Sequence, residues 1–161
     1  LSLGELGYFA WIPYVALALG TVFGGIIPRM LINKGWSLNR ARKTTMFTAS
    51  LLIPLSCFLL FNTMSVAVAI IAIAGIMLGH GLWGNITIPA EVFPKRVHAT
   101  LTGIGGTLGG TMAIGFQFWV GWTVQNVSYT PVFVAVGITY LLTFICVHFL
   151  VGKLGVIIPL K

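Results

Sequence analysis

Aspartate is absent from this 161-residue chain, and glutamate occurs only as Glu5 and Glu91. That scarcity argues against acid and base chemistry built on paired carboxylates, and the H-E-x-x-H metal signature is missing as well. Cysteine is equally sparse: Cys57 and Cys146 each lie inside an apolar run, so neither a disulfide framework nor a metal cluster follows, and both read as small packing residues. No cofactor is implied. Charged residues make up only 7% of the sequence against 58% hydrophobic, a balance whose apolar surface a soluble domain of this size could not cover. A net charge of +7 would point to nucleic acid in a soluble protein. Here the basic residues sit in short segments between apolar runs, where their first role is topology and no nucleic-acid partner is implied.

What is present in quantity is hydrocarbon. A bilayer core needs about 20 mainly apolar residues per helix, and five stretches qualify, at about 8–28, 44–62, 65–88, 100–124 and 131–151. The fold expected is therefore all-α and integral to the membrane, with five transmembrane helices. Arg29, Lys34, Arg40, Arg42 and Lys43 flank the first long connection, Lys95 and Arg96 the second, and Lys153 and Lys161 follow the last span. All nine fall on one side, which the positive-inside rule makes cytoplasmic together with the C-terminus, leaving the N-terminus outside. An outward N-terminus without initiator Met or signal-peptide features leads to the expectation that the chain is the tail of a longer polypeptide.

Small residues recur at helical spacing. Gly105 with Gly109 and Gly106 with Gly110 lie in the fourth span, and Gly20 with Gly24 in the first. They permit close helix approach, serving either static packing or the smooth faces that a rocking bundle needs. Polar residues at membrane depth must face protein or water. His80, Trp83 and Thr87 share a face of the third span and form the best candidate lining of a solute cavity. Asn85 lies roughly opposite, as a second lining group or as structural glue. Gln117 shares a face of the fourth span with Gly106, Gly110 and Gly121, and Tyr14 is a weaker candidate in the first. His80 could in principle carry protons, but no acidic partner accompanies it.

Around the two basic connections the chain resembles a known group. The stretch GGIIPRMLINKGWSLNRARK, followed by IPAEVFPKRVHATLTGIGGTLGG, is similar to the carboxyl-terminal half of major facilitator superfamily transporters. More narrowly it is similar to the anion:cation symporter family, which includes hexuronate and sugar-acid carriers. Glu91, Phe93, Pro94, Lys95 and Arg96, the Gly-rich helix after them and Ser128 to Phe133 carry the likeness. The resemblance implies helices eight to twelve of a twelve-helix transporter in the cell (inner) membrane, a partial C-terminal bundle over residues 1–161 whose N-terminal bundle lies elsewhere in the same polypeptide. It also implies a small organic anion such as a hexuronate or aldonate as substrate and a proton as coupling ion, and it places Tyr14, His80, Trp83, Asn85, Thr87 and Gln117 on cavity-lining helices. Arg29 stands where the family commonly has Asp, so a charge contact between loops is absent or made otherwise. Two other readings stay open: a self-contained small membrane protein that oligomerises through its glycine faces, and an intramembrane enzyme centred on His80, although no catalytic group is assigned.

Overall fold

The computed structural model describes residues 8–61, 65–83 and 87–155. Its elements are α1 (Trp11–Asn33), α2 (Leu38–Leu60), α3 (Val66–Trp83), the short α4 (Thr87–Val92), α5 (His98–Asn126) and α6 (Thr130–Cys146). A 3-10 turn (Lys95–Val97) precedes α5, and a wider π-type segment (Val147–Val151) prolongs α6. The all-helical expectation holds among the described residues.

α1, α2 and α5 extend beyond the spans expected from hydropathy, whereas α3 stays within its expected 65–88. α1 passes through Pro28 and stops only at Gly35, whose φ of +89° supplies the left-handed step that helix ends favour. The amide of Gly35 donates to the carbonyl of Ile32 (2.9 Å) and that of Trp36 to Leu31 (3.1 Å). Ser37 then caps α2, its hydroxyl accepting from the amide of Arg40 at 3.3 Å. What reads as a long polar connection is therefore a tight reversal, with Arg40, Arg42 and Lys43 in the opening turns of α2. Among the described residues, four stretches are both long and apolar enough to cross a membrane: Trp11–Asn33, Leu38–Leu60, Val66–Val92 and Thr130–Val151. The fifth expected span, α5, is the longest helix at 29 residues, but its glycines, threonines and Gln117 dilute its apolar character, so it meets the length requirement alone.

Glycine decides how the first three helices meet. A methyl group on Gly20 would run into the backbone of Leu78, and one on Gly81 would lie 2.5 Å from the Leu17 carbonyl oxygen and 2.6 Å from the Thr21 nitrogen. Backbone thus rests on backbone between α1 and α3, a distance only small residues allow. On its other side α3 meets α2, where Gly79 abuts Ile53 and Gly75 abuts Ser56; α2 in turn receives α6 through Gly137 against Pro54. Met46, Ala49, Leu82 and Trp83 form a buried cluster flanked by Leu78, Tyr140 and Phe144. Of the two cysteines, Cys57 is buried and Cys146 exposed.

α5 stands apart. Every residue from 102 to 119 is exposed, and Gly105, Gly106, Gly109 and Gly110 have nothing within 4 Å of where a Cβ would be. Gly20 and Gly24 are used for close packing; the richer glycine series of α5 meets no described neighbour.

Candidate functional site

The separation of α5 from the rest opens a cavity of about 930 Å3 bounded by α3, α5 and α6. Ile76, Met77 and Val136 supply apolar wall, Phe116 and Trp119 an aromatic one, and His80, Tyr140, Thr111 and Thr139 the polar groups. The described lining contains no charged side chain. Nδ1 of His80 is hydrogen bonded to the Tyr140 hydroxyl, with the two rings edge to face at 6.1 Å between centroids. The threonine protons are spent on their own helices, Thr111 donating to the Thr107 carbonyl at 2.9 Å and Thr139 to Ala135 at 2.7 Å. Their oxygens keep lone pairs as acceptors. Hydroxyl-rich matter suits such a wall: ring faces for its C–H surface, and a few donors and acceptors for its oxygens.

The residues singled out from the sequence fall in different places. His80 lines the cavity. Trp83 is 7% exposed and packs beneath it, its ring edge-on to Tyr140 at 5.8 Å, so Tyr140 is the link between the two. Gln117 is exposed on α5 next to the lining Phe116, and Tyr14 is 68% exposed on α1. Thr87 opens α4, and Asn85 lies outside the described residues. Tyr140, Thr139, Trp119 and Thr111 were not anticipated. The signal available for the first two was a Thr-Tyr pair in the middle of an otherwise apolar final span.

A second assembly sits at the basic end of the bundle. Pro28 has no amide proton, so the carbonyl of Gly24 loses its helical donor; Nη1 of Arg42 reaches it at 3.5 Å. Nε of the same guanidinium donates to Oε1 of Glu91 at 2.7 Å in an ion pair whose side chains are only 21% and 13% exposed. Oε2 of Glu91 is buried without a hydrogen-bond partner, beside a space of about 10 Å3 that would hold a single water. A charge contact between the two basic connections therefore exists, with Glu91 as its acid and exposed Arg29 outside it. Residues 152–155 are stitched over this end: Lys43 donates to the carbonyls of His148 and Gly152, the Leu154 amide to Oδ1 of Asn39 at 3.0 Å, and the Gly155 amide to the Glu91 carbonyl at 3.2 Å.

Among the described residues, helices of membrane-crossing length thus surround a cavity without charged lining, the architecture of a helical membrane bundle. No family model matches the chain. It is 29% identical over 157 residues to the probable galactarate/D-glucarate transporter of Escherichia coli K12, covering 96% of this chain and 35% of that protein. It is 27% identical over 143 residues to the hexuronate transporter of the same strain, covering 88% and 33%. With the D-galactonate transporter of E. coli O6:H1 it shares 24% over 150 residues, covering 92% and 34%. The chain thus spans about a third of the length of these relatives. The likeness to proteins named as sugar-acid transporters extends along nearly the whole chain.

Proposed function

We propose that this chain is the carboxyl-terminal part of a secondary transporter that takes up a small sugar acid, a hexuronate, aldarate or aldonate, together with protons. The observation that carries the reading is similarity over 88–96% of the chain to proteins named as transporters of such acids. The cavity between α3, α5 and α6 supports it chemically. Its described lining offers hydroxyl partners and aromatic faces but no cation, so this chain handles the polyol part of the solute. The carboxylate is held by groups of an N-terminal bundle in the same polypeptide, for which relatives about three times as long leave room. Proton coupling belongs to that bundle too, since the described part of this chain holds one carboxylate side chain, Glu91, already paired with Arg42. The protein resides in the inner membrane with its basic connections and C-terminus in the cytoplasm, the placement that nine one-sided cations favour.

Uptake of radiolabelled glucuronate, galactarate and galactonate by cells expressing the full-length polypeptide tests this. Accumulation abolished by a protonophore and weakened by His80→Ala and Tyr140→Phe is expected. Absence of uptake for every such acid would refute the function, while uptake indifferent to both substitutions would refute the site.

A further inference from the structure

The basic end carries a second concavity, separate from the solute cavity. Between the start of α2 and the end of α6 lies a groove of about 340 Å3 lined by Asn39, Arg40, Lys43, Thr44, Phe47, Phe144 and His148. Basic and aromatic side chains divide it: Arg40, Lys43 and His148 make a basic rim, and the ring pair of Phe47, itself 45% exposed, and Phe144 makes an open aromatic floor, 5.3 Å between centroids. Phe47 follows Lys43 by four residues, about 6 Å along α2, so the aromatic pair adjoins the basic groups along the helix.

The rim has donors to spare. The Arg40 guanidinium lies 4.2 Å from the centroid of Trp36, which orients it without consuming its N–H groups. Lys43 uses two of its three protons on the carbonyls of His148 and Gly152. Asn39 spends its oxygen on the Leu154 amide and keeps its amide protons. No carboxylate lines the groove. Beside it, Phe149 and Leu150 are 77% and 84% exposed, so the apolar floor continues onto an apolar outer surface.

The geometry points to a binding site for an anionic phospholipid: the phosphate sits against Arg40, with Asn39 and Lys43 beside it, and an acyl chain runs over Phe47 and Phe144. Basic pockets between helix ends at the cytoplasmic side hold anionic headgroups by this combination of fixed charge and adjoining hydrocarbon. A soluble phosphate would satisfy the rim and leave the aromatic floor without a partner, which is why a lipid is the occupant. The assignment is independent of the transported solute.

Native mass spectrometry of the purified full-length polypeptide in detergent supplies the test, with dioleoyl-phosphatidylglycerol, dioleoyl-phosphatidylcholine or inorganic phosphate added in turn. Phosphatidylglycerol should be retained in preference to phosphatidylcholine, and millimolar phosphate should not displace it. Arg40→Gln, a change at the exposed rim, should weaken retention about fivefold. Thr44→Glu, which adds a like charge to the bound phosphate, should abolish it with helix content by circular dichroism unchanged. Arg29→Gln, outside the groove, should have no effect. Equal retention of the two lipids, equal loss in the Arg40 and Arg29 variants, or displacement by phosphate alone would each overturn the assignment.

Discussion

The Tyr140 hydroxyl meets Nδ1 of His80 across the gap between α6 and α3. The same phenol ring packs edge to face with Trp83 on its other side, so a single residue of the last helix joins the cavity wall to the buried cluster below it.

Two substitutions separate those duties. Tyr140→Phe removes the hydrogen bond and keeps the ring, and should cost about 1 kcal/mol of stability. Tyr140→Ala also withdraws the packing against Trp83 and should cost about 3 kcal/mol. Unfolding of both variants in detergent, followed by tryptophan fluorescence, reads the difference; equal losses would mean that the ring packing contributes nothing.

Glycines in different helices should respond in opposite ways. Gly81→Ala drives a methyl group into the backbone of α1, and overpacking of that kind should cost about 2 kcal/mol or more. Gly106→Ala and Gly110→Ala meet nothing among the described residues and should gain up to about 1 kcal/mol from helix propensity. Thermal shifts of the three variants decide it. A loss at Gly106 or Gly110 matching that at Gly81 would mean that this face of α5 is covered.

The Arg42–Glu91 pair should show strong coupling. Arg42→Met strands a carboxylate that is already short of one partner and should cost about 3 kcal/mol. Adding Glu91→Gln should recover most of that loss. A double-mutant cycle on chemical unfolding gives the coupling directly, and additive single losses would show that the ion pair is incidental.

Asn39→Ala removes the acceptor for the Leu154 amide. Hydrogen exchange at Leu154 should then rise roughly tenfold, the equivalent of one ordinary hydrogen bond, with amides in the interior of α3 unaffected. Unaltered exchange would mean that residues 152–155 are held by other contacts.

The helices were largely legible in the sequence because apolar length is a direct signal; their ends were not. α1 runs on past Pro28, where the span expected from hydropathy ends, and the Gly24 carbonyl freed by that proline finds a substitute donor in Arg42. The run from Lys34 to Ser37 carries its own stop and start signals, Gly35 and Ser37, which high polarity disguised as loop. α5 reads as a span from its length and lack of charge, and the structure bears out its length, 29 residues, while its glycines and threonines thin out the longest apolar runs.

Helical spacing puts His80, Trp83 and Thr87 on one face of the third span; in the structure His80 and Trp83 lie in α3 and Thr87 opens α4. It could not reveal which of them faces the open space, because that depends on where α6 lies. Tyr140 was missed for the same reason: a contact across 60 positions in sequence leaves no periodic trace in either helix. Gln117 and Phe116 are adjacent in sequence, so a rotation of about 100° of α5 decides which of the two enters the lining, a quantity that depends on neighbours and not on composition.

Where Gly20, Gly24 and Gly81 bring main chain against main chain, no layer of side chains remains to absorb shear by changing rotamers. α1 and α3 are consequently fused into one stiff plank. α5 alone among the long described helices keeps its sides unobstructed, so displacement against that plank meets least resistance there.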